Sequence, residues 1–134
     1  MNYLMITIAI SMLNIPYIWG GNHPLEGFDC SGFVQYVLQS VGVDPKFDQT
    51  AQDLYYRLLE NGWEERKDRG SVLFFGESTK EITHTAIMID KDYSLMIESG
   101  GGNINTKTFE MAKKRGACVR IRPVRKDLIA SLGF

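Results

Sequence analysis

The sequence predicts an α+β fold in which N-terminal helices pack on a C-terminal antiparallel sheet. Up to about residue 62, apolar residues recur at helical spacing and glycines follow the ends of the apolar runs. After Gly70, short segments rich in β-branched and aromatic residues alternate with polar turns, which is typical of strands. Helices first and strands afterwards is an α+β order. The chain has 134 residues, 44% of them hydrophobic, so we expect one domain spanning 1–134 with its own core.

The first element is an apolar segment, Met1 to Ile15, which we interpret as a core-packing helix that ends at Pro16. Its polar residues are spaced to fall on one side of a helix. They are Tyr3, Thr7, Ser11 and Asn14. The segment lacks the basic start and small-residue cleavage site of a signal peptide, and it is shorter than the roughly 20 residues of a membrane span. We therefore expect no export signal and no membrane-embedded segment.

Two more helices are predicted after a glycine-rich loop. One begins near Cys30, with Asp29 or Ser31 as its N-cap, and stops at Gly42. The other spans about 50–61, opened by a capping-box-like pattern and closed by a glycine.

Four strands are predicted in the second half. They are Val72 to Phe75, Thr83 to Ile89, Tyr93 to Glu98 and Ala117 to Val124. A hairpin is expected between the second and third strands, because a short polar segment, Asp90, Lys91 and Asp92, connects them. The last strand alternates Ala117, Val119 and Ile121 with Cys118, Arg120 and Arg122, so one face is predicted to be buried and the other exposed.

The charge of the chain is unevenly distributed. The formal net charge is -1, but residues 1–106 carry 7 basic and 14 acidic side chains, whereas 107–134 carry 8 and 2. A basic C-terminal segment could contact an anionic polymer, although such a run is more often only a solvated face. No motif of nucleic-acid recognition accompanies it, so we expect no nucleic-acid partner.

The chain holds two cysteines and two histidines, which lack the paired spacing of a structural zinc site. We predict no metal and no cofactor. Nothing in the contexts of Cys30 and Cys118 indicates a disulfide, so both are expected to be free thiols.

Cys30 is the strongest candidate for a nucleophile, because it is predicted to lie on the first turn of a helix directly after a glycine-rich loop. Unpaired backbone N–H groups and the positive end of the helix dipole favour a thiolate there, and the same groups can stabilise an oxyanion. A free cysteine is also commonly a small buried hydrophobe. The position alone therefore leaves both interpretations open.

A nucleophilic cysteine needs a base, and the base needs an orienting group. His84 opens an apolar strand and would project from a rigid element, whereas His23 lies in a loop, where we expect solvent or substrate contact. Hairpin pairing would bring Glu98 alongside His84. We predict His84 as the base and Glu98 as its orienter, with an exposed strand-end carboxylate as the alternative for Glu98.

Four motifs, taken in order, resemble the NlpC-type cell-wall peptidases. They are Pro16-Tyr17-x-Trp19-Gly20-Gly21, then Gly27-Phe28-Asp29-Cys30-Ser31-Gly32-Phe33-Val34-Gln35-Tyr36, then Gly70-Ser71-Val72-Leu73-Phe74-Phe75, then His84 opening a strand. The likeness covers roughly residues 10–122. Any one motif would be weak, but four in the right order make a coincidence improbable.

The resemblance implies a papain-like fold and hydrolysis of the γ-D-glutamyl bond to a diamino acid in peptidoglycan stem peptides. It implies Cys30 as nucleophile, His84 as base and Tyr17 in the oxyanion and substrate region, with Asp29 and Ser31 flanking the nucleophile. Asp29 could recognise the ammonium of a free peptide N-terminus, although helix capping would equally explain Asp29 and Ser31. Family members often have a second histidine where this chain offers Glu98.

Two alternative functions share the triad or the fold of this interpretation. The same triad would serve a wall amidase or an acyltransferase, and a papain-like module without turnover would only bind the wall. We expect a monomer whose partner is the stem peptide. The lack of an export signal would suit a phage-delivered lysin or tail-associated peptidase, or a cytoplasmic recycling enzyme.

Overall fold

The computed structural model describes residues 2–43, 48–90, 92 and 94–134, and within them it contains four helices and eight strands. The helices are α1 (Asn2–Ser11), α2 (Cys30–Ser40), α3 (Ala51–Glu60) and α4 (Phe109–Arg115). The strands are β1 (Asn22–His23), β2 (Gly27–Phe28), β3 (Glu64–Glu65), β4 (Val72–Gly76), β5 (Ile82–Met88), β6 (Leu95–Gly100), β7 (Cys118–Pro123) and β8 (Leu128–Gly133). The predicted α+β class is confirmed.

Six of the strands form one antiparallel sheet in the order β3-β8-β4-β5-β6-β7. Strands β1 and β2 form a separate two-residue hairpin directly before α2. The β5–β6 pairing is the predicted hairpin. The predicted connection is only partly described, since Lys91, like Tyr93 of the predicted third strand, lies outside the described residues.

The main core lies between the helices and one face of the sheet. Most of its large members come from α2, α3 and the central strands, and those are essentially inaccessible to solvent. They include Phe33, Val34, Val37, Leu38, Leu54, Leu58, Phe74, Ile87 and Ile97. A second buried cluster comes from the alternate residues of β4, β5 and β6, which face the other way: Leu73, Phe75, Ala86, Met88 and Met96.

The second and third predicted helices are confirmed with their caps. The Asp29 side chain accepts a hydrogen bond from the Gly32 N–H at the start of α2, and Thr50 accepts from the Asp53 N–H at the start of α3. Both pairings satisfy an N–H group that has no partner inside the helix. Gly42 and Gly62 follow the C-caps in the left-handed region, with φ of 84° and 85°.

The prediction that the first helix continues to Pro16 is wrong, because α1 ends at Ser11. Asn14 takes a positive φ of 73° and reverses the chain. The Asn14 N–H then donates to the Val119 carbonyl at 2.9 Å, and the Val119 N–H donates to the Ile15 carbonyl at 2.9 Å. Pairing with β7 therefore takes over the backbone groups that a longer helix would have used.

The prediction that Ile121 faces the core is also wrong, since Ile121 is 40% exposed whereas Ala117 and Val119 are buried. Strand β7 lies at the edge of the sheet, and the residues of its second half, 121–123, are all exposed. It is also not the last strand. The sequence prediction missed α4 and the two-residue strands, because they are too short to show a hydrophobic period. It also missed β8, whose buried residues are consecutive and do not alternate with exposed ones.

Candidate active site

Cys30 is the first residue of α2, and its position is fixed by the loop before it. The Asp29 N–H donates to the Gly21 carbonyl at 3.0 Å, and Asp29 Oδ1 accepts from the Gly32 N–H at 2.8 Å. A Cβ at Gly32 would lie 2.0 Å from the Gly21 carbonyl oxygen. The helix start and the loop therefore come closer together than any other residue at 32 would permit.

Strand β6 is tied to the same helix start. The Ser99 hydroxyl is fully buried and donates to the Phe28 carbonyl at 2.7 Å, two residues before Cys30. This long-range hydrogen bond sets the distance between the sheet and the nucleophile candidate.

His84 and Glu98 meet at the end of the β5–β6 pairing. The recorded register pairs Ile87 with Ile97 and Met88 with Met96, so continuing it would place Ala86 opposite Glu98, with His84 diagonally adjacent on the same face. The two side chains reach each other across this diagonal and form a hydrogen bond, with His84 Nε2 2.6 Å from Glu98 Oε1. The structure thus brings together the two residues that the hairpin argument had placed side by side.

The Cys30 side chain interacts with the His84 ring and is the strongest of the influences that raise the pKa of the ring. Because Nε2 contacts Glu98, the other ring nitrogen, Nδ1, is the one left for the thiol. Cys30, His84 and Glu98 therefore lie together in one cleft, with the His84 ring interacting with both of the other side chains.

Glu98 has a second partner in Arg120, which lies opposite it in the β6–β7 register. Arg120 Nε donates to Glu98 Oε2 at 3.0 Å. The Glu98 side chain is only 4% exposed, so it is not the exposed strand-end carboxylate that was its alternative interpretation.

The contacts of His84 shift its protonation equilibrium. Burial of the ring lowers its pKa, but the hydrogen bonds to Cys30 and Glu98 and the negative charges of both outweigh burial and raise the pKa of His84 to about 9. Burial alone would raise the pKa of Glu98, but the contacts with His84 and Arg120 hold it below its ordinary range. At neutral pH the ring is a cation held between a carboxylate and the cysteine.

Replacing Glu98 with glutamine is expected to lower the pKa of His84 from about 9, because a neutral amide removes the charge that favours the imidazolium form. Titration of the histidine ring signals by NMR measures this directly. The chain has only two histidines, and exposed His23 serves as the internal reference. An unchanged His84 titration would show that Glu98 does not support the ring's charge.

The three residues lie in a cleft of about 640 Å³, whose walls also include the other sequence-predicted site residues Tyr17, Asp29 and Ser31. Tyr17 is 5% exposed. Burial, and then the nearby negative charges of Cys30 and Asp29, raise the pKa of its phenol well above the ordinary value. Tyr17 is therefore a neutral hydroxyl, able to donate a hydrogen bond, beside the thiol.

Asp29 and Ser31 both take part in the helix start. Asp29 Oδ1 accepts from Gly32 N–H and from the Ser31 hydroxyl at 3.3 Å, and Oδ2 accepts from the Gly20 N–H at 3.1 Å. Burial raises the pKa of Asp29 despite these donors, and the charge of Asp48 adds to the effect. The capping role is therefore observed, and both residues also line the cleft.

His23 agrees with the sequence expectation of an exposed residue, whereas Arg120 departs from its expectation. His23 is exposed, does not line the main cleft, and its Nδ1 accepts from the Leu25 N–H at 3.1 Å. Arg120 was predicted only as part of a basic exposed face, yet it contacts Glu98 and lines the cleft. The signal for Arg120 was its position opposite Glu98, which becomes visible only when β6 and β7 are paired.

Cys30 and Cys118 are separate free thiols. Within residues 2–43, 48–90, 92 and 94–134, no three side chains of histidine, cysteine, aspartate or glutamate are grouped to hold a metal ion. In the same ranges, no helix combines the length and the apolar character needed to cross a bilayer.

The fold and the site define the class to which the protein belongs. The model of the NlpC/P60 family matches residues 14–122, which is most of the chain, so the chain belongs to the NlpC/P60 family. The resemblance predicted from the four motifs is confirmed.

Two named relatives are similar over about half of the chain. It is 39% identical over 71 residues to "Probable endopeptidase YafL" of Escherichia coli (strain K12). It is 37% identical over 76 residues to "Bifunctional muramidase/DL-endopeptidase CwlT" of Bacillus subtilis (strain 168). The similar segments cover 52% and 55% of this chain but only 28% and 22% of those proteins, so the chain matches a minor part of each relative.

Solved structures extend the likeness of fold to the full chain. The NlpC/p60 domain of the peptidoglycan hydrolase SagA is 23% identical, with a TM-score of 0.69, and the match covers 100% of this chain and 99% of that one. RipD of Mycobacterium tuberculosis, described as a non-catalytic NlpC/p60 domain protein, is 20% identical, with a TM-score of 0.66 over 99% of this chain and 95% of that one. The papain-like fold is therefore shared by catalytic and non-catalytic proteins.

Proposed function

We propose that the chain is a cysteine endopeptidase that hydrolyses peptidoglycan stem peptides at the bond between γ-D-glutamate and the diamino acid. The observation that carries the proposal is that Cys30, His84 and Glu98 line one cleft, where His84 Nε2 lies 2.6 Å from Glu98 Oε1 and the ring interacts with the Cys30 side chain. A module that only binds the wall has no need of this arrangement. We treat residues 1–134 as one peptidase domain.

Attack begins from the Cys30 thiolate, paired with the protonated His84 ring. The sulfur adds to the carbonyl carbon of the γ-D-glutamyl amide, and the carbonyl oxygen becomes an oxyanion. Asp29 already occupies the Gly32 and Phe33 N–H groups, which leaves the Cys30 N–H at the helix start to donate to that oxygen. The neutral Tyr17 hydroxyl is the second donor.

Collapse of the tetrahedral intermediate breaks the amide bond. His84 gives its proton to the departing amine of the diamino acid, and the acyl group remains on Cys30 as a thioester. A water molecule then loses a proton to the neutral ring and attacks the thioester, which releases the glutamyl carboxylate and restores the thiolate. Glu98 holds the ring in place throughout and stabilises its charged form.

The acidic end of the cleft suggests how the substrate is oriented. Asp29 and Asp48 lie on its wall, and burial raises the pKa of each carboxyl group. A peptide ammonium placed there would relieve the mutual repulsion of the two carboxylates. We assign Asp29, together with Ser31, to the recognition of a free peptide N-terminus, in addition to their capping role.

A defined tripeptide, L-Ala-γ-D-Glu-diamino acid, incubated in water enriched in ¹⁸O, tests both the bond and the acceptor. Mass spectrometry is expected to show free diamino acid and a dipeptide that has gained one ¹⁸O in its new carboxylate. Transfer to an added amine without ¹⁸O would indicate an acyltransferase. A muramoyl peptide is tested in parallel, and cleavage only at its lactyl amide would indicate an amidase. Wall binding without any product would indicate a non-catalytic module.

A further inference from the structure

The Glu98 carboxylate is divided between two cationic partners. Oε1 lies 2.6 Å from His84 Nε2, and Oε2 accepts from Arg120 Nε at 3.0 Å. The Glu98 side chain is 4% exposed and that of Arg120 is 28% exposed, so the pair lies on the cleft wall with the carboxylate on the inner side. His84 and Arg120 are the cations in contact with Glu98 in the described part of the chain.

Two glycines make the space that this pair occupies. A Cβ at Gly100 would lie 2.4 Å from Glu98 Oε2, and a Cβ at Gly101, where φ is +87°, would lie 2.9 Å from Arg120 Nη1. Even an alanine at residue 100 would push the carboxylate out of its present position. The local backbone therefore accommodates the Glu98–Arg120 contact specifically.

We propose that Arg120 is a positioning residue for the reaction, which holds the Glu98 carboxylate charged and in the orientation that meets His84. This inference rests on the proposed function and adds a fourth member to its group of interacting residues. His84 loses its charge each time it protonates the leaving amine, and at that moment the buried Glu98 would have no counter-charge from the ring. The guanidinium of Arg120 stays charged throughout and fixes the second oxygen.

The alternative is that Arg120 only stabilises the fold at the sheet edge. Strand β7 is an edge strand, and a charge pair between β6 and β7 would support its pairing whatever the chemistry of the cleft. The two interpretations differ in one respect. A positioning residue changes kcat and the reactivity of Cys30 in a protein that remains folded, whereas a residue that only stabilises the fold changes the free energy of unfolding and leaves both rates of the folded protein unchanged.

A double-mutant cycle separates them. Arg120→Gln is expected to lower kcat on the tripeptide by about tenfold or more, the size typical of residues that orient a functional group, and to leave KM within about twofold. In the Glu98→Gln background, adding Arg120→Gln is expected to lower kcat by less than about twofold, because the charge on which Arg120 acts is already gone. Arg120→Lys keeps a cation and should restore part of the loss. The matched control is Arg122→Gln, an exposed arginine two residues along β7, which should leave kcat unchanged.

A substrate-free readout keeps this test independent of the proposed function. In the Cys118→Ala background Cys30 is the remaining thiol, and its rate of alkylation by iodoacetamide reports on the Cys30–His84 pair. Arg120→Gln alone is expected to lower the alkylation rate of Cys30. When Glu98→Gln is already present, adding Arg120→Gln is expected to lower the rate no further. Equal effects of Arg120→Gln in both backgrounds, or none in either, would overturn the assignment. Failure of the unmodified protein to cleave any stem peptide would instead refute the proposed function, and the alkylation cycle would still decide the role of Arg120.

Discussion

Replacing Cys30 with alanine is expected to lower kcat/KM on the stem peptide by about four to six orders of magnitude, the loss typical when a nucleophile is removed from a catalytic triad. The methyl group cannot form the thioester, and no neighbouring group takes over that role. Steady-state kinetics on the tripeptide measures the effect. The small side chain starts α2 without joining the main core, so the variant should fold, and its thermal unfolding checks that.

The second cysteine provides the matched control for this prediction. Cys118 carries a free thiol at the start of β7, and its Sγ lies 4.0 Å from the Gly116 carbonyl oxygen. Cys118→Ala should retain the kcat/KM of the unmodified protein. Equal losses in the two variants would mean that activity depends on thiol content or folding and would remove Cys30 from its assigned role.

Replacing His84 with alanine is expected to lower kcat/KM by about four orders of magnitude or more. The variant loses both the cation that stabilises the thiolate and the donor that protonates the leaving amine. It also leaves the buried Glu98 with Arg120 alone. The rate of Cys30 alkylation should fall in parallel, which separates loss of the thiolate from loss of substrate binding.

His23 is the corresponding control. It is exposed, and its Nδ1 accepts a hydrogen bond from the Leu25 N–H, which an asparagine side chain can imitate. His23→Asn should therefore keep nearly full activity. A large loss with His23→Asn and a small one with His84→Ala would reverse the assignment of the base.

Local signals account for the parts of the fold that were predictable. Helices α2 and α3 combine several core positions at helical spacing with a capping aspartate or threonine and a closing glycine, and all of these lie within a few residues of each other. The end of α1 was not predictable in this way, because Ile15 looks helical in sequence but pairs with Val119, more than a hundred residues away. The short α4 and the strand β8 have too little periodicity to be recognised.

The residues of the candidate site also differ in whether local sequence signals could predict them. Cys30 was predicted from helix-start physics together with the motif around it, and Glu98 from the expected hairpin with the strand that His84 opens. Arg120 could not be found, because α4 and its loops separate β6 from β7 and the sequence does not show that these strands pair. Its alternation in β7 indicated only an outward face, whereas Arg120 itself lines the cleft.

The measurement that tests the central claim most directly uses a variant carrying both Cys118→Ala and His23→Asn, in which Cys30 and His84 are the remaining cysteine and histidine. Purified peptidoglycan is digested with this variant and with the same variant carrying Cys30→Ala, and the released peptides are identified by mass spectrometry. The account predicts that the first releases the same fragments as the unmodified protein, cut between γ-D-glutamate and the diamino acid, and that the second releases none. Release of these fragments without Cys30, or their loss when only Cys118 and His23 are replaced, would contradict it.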